Sequence, residues 1–370
     1  MFLALRELRH SRLRYLMIAL VITLVAWLVF LLSGLANGLA TDNGAALDQM
    51  PADGLVYQSD VRFYLHRSLL PMEDVQAVRN VAGVEDATPL GHLTVTTTPE
   101  GKTDKIDATV LAIDPAGFIA PSLSSGQMFD PAAPDQVVVD TTFKRYGVAL
   151  GDVLLIEPSG ERLTVAGFTE NQTYNHLPVV FMSIPRWQGL KYAAPGSSGS
   201  VTDPISAVAV RGDDGIGDRI DAQVPGVEFA SMQTAIQNLP GYSAEMGTVT
   251  TILVFLFVIA ALVLAAFFYV ITLQKSNQLG VLKALGARMS YLAWDLVSQV
   301  VILTVVGVVL GAALSYLVAQ MIPADVPFAL SNRLVVIYGI VLLLVSLLGT
   351  ILSLVRIARI DALIAIGRVD

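Results

Sequence analysis

Residues 246–274, MGTVTTILVFLFVIAALVLAAFFYVITLQ, form a run of 29 residues that contains no Asp, Glu, Lys or Arg. A helix needs about 20 apolar residues to cross the hydrocarbon core of a bilayer. Three further uncharged runs, at residues 15–41, 296–324 and 334–355, are similarly rich in Leu, Val, Ile and Ala. One such run could be a buried helix of a soluble enzyme, but four in one chain predict four transmembrane helices.

Two of these runs carry further information. The apolar part of the first run is longer than the about 7–15 residues of a signal-peptide h-region, so we expect an uncleaved anchor. In the third run, Gly307, Gly311 and Ser315 form a stripe of small residues at helical spacing. Such stripes allow close helix approach, and we expect this one to pack inside the chain rather than between two copies.

The composition limits the chemistry that the chain can perform. Of its 370 residues, 54% are hydrophobic, 15% are charged and none is Cys. Soluble domains usually contain about 25% charged residues. A disordered chain, a nucleic-acid binder with a basic surface, and sites built on thiolates, iron–sulfur clusters or zinc-binding cysteines are therefore excluded.

The charges that flank the runs predict the orientation of the chain. Lys and Arg exceed Asp and Glu before the first run, between the second and third runs, and after the fourth run. An excess of Lys and Arg marks the cytoplasmic side of a membrane protein. We therefore expect a multi-pass protein of the cell membrane whose two termini and 275–295 loop are cytoplasmic.

The segment between the first two runs, residues 42–245, is then one large extracytoplasmic domain. It holds 12 Lys and Arg against 26 Asp and Glu, a net charge of −14. Short β-like runs bounded by Gly, Pro, Asp or Ser alternate with two helix-like segments, which indicates an α+β domain. The predicted strands are 93–98, 108–113, 136–139, 153–156, 163–165, 179–182 and 207–210, and the predicted helices are 72–81 and 231–238. The predicted fold class is an α-helical membrane protein with four transmembrane helices (1+3) plus this α+β extracytoplasmic domain.

Residues 137–167, VVVDTTFKRYGVALGDVLLIEPSGERLTVAG, indicate a strand, a short helix ending near Gly147, a turn at Gly151 and a hairpin around 158–160. This order, together with the 1+3 layout, resembles the permeases of the MacB/FtsX superfamily of ATP-driven transporters. The resemblance implies three parts. Residues 1–41 hold an N-terminal elbow helix and the first span, residues 42–245 form a MacB-core-like domain, and residues 246–370 form an FtsX-like permease domain.

The loop between the second and third spans has apolar residues at helical spacing, as in an amphipathic helix on a membrane surface. Its stretch LGVLKALGA, residues 279–287, resembles the stretch most shared within the superfamily. That resemblance implies a cytoplasmic coupling helix at about 276–290, which docks into a separate ATPase. The ATPase-coupling residues that it implies are Gly280, Lys283, Ala284 and Gly286, and the second span is expected to continue as a helical stalk through 272–276.

The chain lacks a motif for hydrolysing ATP itself, and we expect it not to be an enzyme. A GKT sequence occurs at 101–103, but a P-loop requires a glycine five positions earlier, where this chain has Thr96. We expect residues 100–103 to form a hairpin turn. The histidines stand at no metal-ligand spacing, and each is predicted to be solvated or hydrogen-bonded: His10, His66, His92 and His176.

Glu245 and Met246 stand where the second span begins, shortly after Tyr242. An ionisable group at the edge of a span is a candidate functional residue, although a carboxylate at a helix N-terminus is also favoured by the helix dipole, by about 0.3–1 kcal/mol. Among short members of the superfamily, the chain most resembles the HrtB-type heme efflux permeases. That resemblance makes Tyr242, Glu245 and Met246 candidate heme-binding residues, with the heme iron held through Glu245 and Met246. Methionine is an established axial ligand of heme iron.

The resemblance implies a permease subunit of an ATP-driven pump that removes heme from the cytoplasmic membrane. Its expected partners are an HrtA-type ATP-binding subunit in a 2+2 complex, a second copy of this chain, and membrane lipid, but no nucleic acid. No intrinsic cofactor is expected, since heme is the transported ligand and ATP is bound by the partner. Two alternatives stay open: export of a lipoprotein, peptide or antibiotic, or an FtsX-like signal transmitter that transports nothing.

Overall fold

The computed structural model describes residues 12–193, 197–274, 289–323 and 326–358. The helices in these residues are α1 (Arg12–Asp48), α2 (Glu73–Arg79), α3 (Ile184–Lys191), α4 (Ile216–Gln223), α5 (Met232–Gln237), α6 (Tyr242–Gln274), α7 (Met289–Ala319) and α8 (Asn332–Ala358). The strands are β1 (Gly54–Gln58), β2 (Leu70–Pro71), β3 (Val84–Pro99), β4 (Ile106–Ile113), β5 (Leu123–Gly126), β6 (Gln136–Asp140), β7 (Val153–Glu157), β8 (Glu161–Thr169), β9 (Thr173–Tyr174), β10 (Leu177–Ser183), β11 (Pro204–Ile205), β12 (Ala207–Gly212) and β13 (Val227–Ser231). These elements form two compact units, Ala40–Glu245 and a second unit composed of Met1–Leu39 and Met246–Asp370.

Four helices of the described residues, α1, α6, α7 and α8, are long and apolar enough to cross a membrane, which confirms the predicted number. Their ends differ from the uncharged runs. Helix α1 continues beyond residue 41 to Asp48, with a non-helical residue at Gly44, and α6 begins at Tyr242 rather than at residue 246. Residues of the α1 extension, such as Leu47, are buried in the extracytoplasmic domain. Charge therefore marks the end of the apolar segment but not the end of the helix.

The described strands of the domain are arranged mainly in one sheet, in the order β13-β1-β12-β3-β4-β10-β6-β8-β5. Strand β7 pairs with both β3 and β8, so β3, β4, β10, β6, β8 and β7 close into a ring. Strands that close in this way leave no open edge between them. The 16-residue strand β3 belongs both to this ring and to the four-stranded part β13-β1-β12-β3.

Alternate residues of the ring strands enter two different hydrophobic clusters. On β4, Ala108 and Val110 belong to one cluster, whereas Leu111 and Ile113 belong to the other. Strands β6 and β10 alternate in the same way. Because both faces of these strands are covered, they appear in the sequence as nearly continuous apolar runs. This explains why such short segments could be recognised from the sequence.

The stretch 137–167 folds as the sequence predicts. Strand β6 is followed by a 3₁₀ helix, Thr141–Tyr146, which ends at Gly147 with φ of 70°. Strands β7 and β8 then form the hairpin around 158–160. Each predicted strand lies within an observed one, and the predicted helices correspond to α2 and α5. Further elements were not predicted, among them β1, β13, α3 and α4.

In the second unit, the small residues of α7 pack against α1 of the same chain, as predicted. A Cβ atom added to Gly307 would lie 2.5 Å from Cγ2 of Ile22. A Cβ atom added to Gly311 would lie 2.8 Å from Cβ of Ala26 and 2.9 Å from a backbone nitrogen of α1. These distances leave no room for a larger side chain, so the stripe is internal packing.

Candidate substrate-binding site

The first turn of α6 carries the residues that the sequence singled out for ligand binding. Gly241 precedes it with φ of 84°, a conformation that glycine adopts without steric cost. The backbone N–H of Glu245 donates to the carbonyl of Gly241 at 3.0 Å, which closes the turn. Tyr242, Glu245 and Met246 stand at positions i, i+3 and i+4, so the helix places them on one face. The ring of Tyr242 is partly buried against the apolar cluster that contains Leu239.

The Glu245 carboxylate contacts two polar side chains from distant parts of the domain sequence. Its Oε2 lies 3.2 Å from Nε2 of His176 and accepts a hydrogen bond from Nδ2 of Asn43, also at 3.2 Å. The other ring nitrogen of His176, Nδ1, lies 3.0 Å from Oδ2 of Asp42. The imidazole therefore bridges two carboxylates. The side chains remain partly accessible, with 25% of Glu245, 29% of Asp42 and 35% of His176 exposed.

The position of His176 follows from a tight turn. Strands β9 and β10 pair as an antiparallel hairpin, with Tyr174 opposite Leu177. The two residues between them, Asn175 and His176, both have positive φ, 52° and 63°. Positive φ at both central residues is the pattern of a type I′ hairpin turn, which asparagine tolerates better than most residues. The backbone N–H of Asn175 donates to the carbonyl of Asn43 at 2.7 Å, which fixes the turn against α1.

Asn43 lies at the centre of this cluster. The residue is 1% exposed. Its Nδ2 contacts both Nε2 of His176 and Oε2 of Glu245. Among the described residues, Oδ1 of Asn43 has no hydrogen-bond partner. A buried amide that donates to a carboxylate holds that carboxylate in one place, because moving it would leave the donor unpaired.

Sequence reasoning identified Glu245 but missed Asp42, Asn43 and His176 as its neighbours. The available signal was the Asn-His pair between two short β-like runs, which indicates a turn. That signal does not tell which groups the histidine meets, because its partners are 134 and 69 residues away in the chain.

A second cluster of titratable residues lies inside the domain, around His92. Burial, and to a lesser degree the nearby Lys191 and His66, lower the pKa of His92 to about 3. Burial also lowers the pKa of Lys191 to about 8. The Lys191 ammonium donates to the backbone carbonyl of His92 at 3.1 Å and lies 5.0 Å from the ring centre of Trp187. These contacts involve no carboxylate and fit a packed core rather than a ligand site.

The domain also contains a cavity of about 590 Å³, which is lined by residues that include Gln49, Asn171, Gln172 and Glu170. Two of its amide groups already have partners: Gln172 Nε2 donates to Gln49 Oε1 at 3.0 Å, and Gln49 Nε2 donates to the backbone carbonyl of Asn171 at 2.7 Å. Glu245 is not among the lining residues. Because the amides of Gln49 and Gln172 already have partners, this cavity offers a ligand less than the cluster around Glu245 does.

The remaining sequence predictions have mixed outcomes. The residues around 100–103 connect β3 and β4 as a hairpin, and Gly101 has φ of 77°, so the predicted turn is confirmed. Gly280, Lys283, Ala284 and Gly286 lie outside the described residues, as do His10 and the last two residues of the predicted stalk. No group of three or more His, Asp or Glu side chains among the described residues is arranged to hold a metal ion.

Two protein-family models match this chain. Residues 15–237 match the model of the MacB-like periplasmic core domain, and residues 250–362 match that of the FtsX-like permease C-terminal region. The first match alone covers more than half of the chain. The chain belongs to the MacB/FtsX family of ABC transporter permeases. The permease is therefore a multi-pass membrane protein, and its family implies an ATP-binding partner. The superfamily resemblance seen in the sequence is confirmed.

Similar proteins match this permease over its whole length. A protein of Staphylococcus haemolyticus, provisionally named hemin transport system permease protein HrtB, is 27% identical and is matched over 100% of both chains. A protein of the same provisional name from Staphylococcus epidermidis is 29% identical, with 99% of both chains covered. Among solved structures, the periplasmic region of MacB from Actinobacillus actinomycetemcomitans is 13% identical with a TM-score of 0.38. That match covers 52% of this chain and 95% of the other.

Proposed function

We propose that this permease exports heme from the cytoplasmic membrane, as a homodimer with two copies of an HrtA-type ATP-binding subunit. The observation that carries the proposal is the end-to-end similarity to permeases that are named for hemin transport. A match over the full length includes both the extracytoplasmic domain and the membrane helices. It therefore supports a shared transport function more strongly than a match of one domain would.

Glu245 has the chemistry that the proposal needs. Both of its hydrogen-bond contacts within the described residues are made through Oε2, so Oε1 remains for a ligand. A carboxylate oxygen favours ferric iron, and Met246 on the same helix face would supply a thioether. Tyr242 would stack on the porphyrin or hydrogen-bond to it. Weak ligands of this kind allow release, which an exporter requires.

The exposed face of α6 supports the proposed homodimer. Ile252, Phe255, Ile259 and Leu262 follow one another at helical spacing, and each has between 46% and 67% of its surface exposed in the single chain. In the proposed dimer, this face of each copy lies beside the other copy, near the two-fold axis. Heme would enter laterally from the outer leaflet between the helices.

Transport requires that ATP binding moves these helices. In the proposed mechanism, the coupling helix at 276–290 docks into the ATP-binding subunit on the cytoplasmic side, with the termini on that same side. Closure of the two ATP-binding subunits draws the α6 helices together. The outer cavity then narrows, and the ligand leaves outward.

The first test is a heme titration of the purified permease with its ATP-binding subunit, followed by the Soret absorption band. We expect Glu245→Ala to weaken heme binding by at least about tenfold, because it removes a ligand of the iron. Glu170→Ala, which removes an exposed carboxylate elsewhere in the domain, is the matched control and should bind heme like the unchanged protein.

Each other result points to a specific alternative. Unchanged affinity and spectrum in Glu245→Ala would remove Glu245 from the site. Absence of heme binding and of heme-stimulated ATP hydrolysis would contradict heme export and favour a lipoprotein, peptide or antibiotic cargo. Genetic dependence on a cell-wall hydrolase, with no transport, would favour the signal transmitter.

A further inference from the structure

Two polar side chains of the extracytoplasmic domain, His176 and Asn43, contact the Glu245 carboxylate that the proposed function assigns to the ligand, and Asp42 contacts His176. We propose that His176, held by Asp42, is a positioning residue that fixes Glu245 for substrate binding. The inference rests on the proposed function and extends it, since it gives the extracytoplasmic domain a direct part in building the substrate site.

The geometry gives His176 two fixed contacts rather than one. Nδ1 lies 3.0 Å from Asp42 and Nε2 lies 3.2 Å from Glu245, so neither ring nitrogen can turn away without losing a partner. A residue that contacts a ligand-binding side chain in this way sets the orientation of that side chain. The contact is made to Oε2 of Glu245, which leaves Oε1 in a defined direction.

The backbone behind His176 is also fixed. The turn at Asn175 and His176 is bonded to α1 through the carbonyl of Asn43 at 2.7 Å. Asn43 is buried and donates from its side chain to the same oxygen of Glu245 that His176 contacts. A tight turn that is hydrogen-bonded to a neighbouring helix keeps its geometry better than a free loop does. The hairpin therefore positions Glu245 from outside its own helix.

Two substitutions at His176 separate positioning from general stability. In His176→Asn, the short amide reaches the Nδ1 position and keeps the Asp42 contact but loses the Glu245 contact. In His176→Gln, the longer amide reaches the Nε2 position and keeps the Glu245 contact. Asparagine also tolerates the positive φ of this residue, so the turn is preserved. His66→Asn serves as the control, since His66 lies elsewhere in the domain and stacks on Tyr64.

The experiment uses the full-length permease with its ATP-binding subunit, and heme is the probe. We expect His176→Asn to weaken heme binding about 10- to 100-fold and to shift the Soret band of the remaining complex. His176→Gln should recover most of the affinity, and His66→Asn should match the unchanged protein. Without heme, the melting temperature of His176→Asn should change by less than about 3 °C. Hydrogen exchange at the start of α6 should become faster, because Glu245 has lost a contact.

The outcomes distinguish this inference from the function on which it rests. If Glu245→Ala loses heme but His176→Asn binds it normally, the positioning role is wrong and the proposed export stands. If His176→Gln is as weak as His176→Asn, the histidine does not act through its contact with Glu245. If affinity and melting temperature fall together in His176→Asn, the role is structural. If the unchanged complex binds no heme, both proposals fail.

Discussion

The extracytoplasmic domain and the membrane helices place their side chains in opposite ways. In the domain, Leu111 is fully buried in a core of Val, Ile and Leu side chains. In the helices, large apolar residues such as Leu348 face outward, whereas Ser315 and Ser346 are fully buried. The hydroxyl of each of these two serines donates to the carbonyl four residues earlier in its own helix. The difference shows that the solvent decides the pattern: water drives apolar side chains inward, and lipid does not.

The largest expected effect comes from the same truncation made in both regions. Leu111→Ala should destabilise the domain by about 2–5 kcal/mol, because it leaves a cavity in a packed core. Leu348→Ala on α8, outside the α6 face of the proposed dimer, should change stability by less than about 0.5 kcal/mol, because Leu348 is 62% exposed and would face lipid or detergent. Denaturant titration of the full chain in micelles measures both. Equal losses in the two variants would contradict the outward position of Leu348 in the assembled protein.

A smaller effect is expected where the helices pack through glycine. Gly311→Val should cost about 1–3 kcal/mol, because the added atoms would collide with Ala26 and with the backbone of α1. Gly247→Val is the matched control for stability, since a Cβ atom there meets nothing within 4 Å. Thermal unfolding of the purified chain compares them. Equal stability of the two variants would contradict the close approach of α1 and α7.

The remaining expected effect is a pH dependence that belongs to the domain alone and is small for each pH unit. His92 has a pKa of about 3 in the folded protein against 6.5 ordinarily, so between these values only the unfolded chain binds the proton. The contribution of neutral His92 to the free energy of unfolding is fully present above pH 6.5. It falls as the pH drops toward 3, by up to about 1.4 kcal/mol per pH unit. The charged groups that lower the pKa, Lys191 and His66, act in the same direction as burial.

The measurement is a denaturant titration at pH 4 to 7, with Trp187 as the fluorescent reporter. Replacing Trp27 and Trp294 by Phe leaves Trp187 as the sole tryptophan, because the chain has three. His92→Asn should show a shallower fall of stability with decreasing pH. A slope identical to that of the unchanged protein would mean that His92 is already protonated in the folded domain.

The sequence predicted those parts of the fold that leave a local trace. The four spans and strands such as β4 and β10 were found because their apolar runs are set by burial in lipid or on both sheet faces. Helices α3 and α4 were missed because each contains a glycine, and α3 also a proline, residues that usually indicate turns or loops. Strand β1 was also missed, and its pairing with β12 and β13 joins it to residues far away in the chain.

The residues of the candidate site also divide into those that the sequence predicted and those that it did not. Glu245 could be found because it stands at the end of an uncharged run, which is a local property of the sequence. His176 could not be assigned to it, because a turn of two residues with positive φ brings it to partners far away in the chain. Sequence patterns report periodicity and charge over neighbouring residues, and they do not report which distant side chains a hairpin turn will meet.

The pairing of strand β3 affects how the extracytoplasmic domain unfolds. Its first half pairs with β12 and its second half with β4 and β7, so one continuous backbone segment is shared by both portions of the sheet. Neither portion of the sheet can unfold while the other stays folded, because each would lose its pairing with β3. The domain should therefore unfold in a single cooperative step. A substitution that disrupts β3 should destabilise both portions of the sheet.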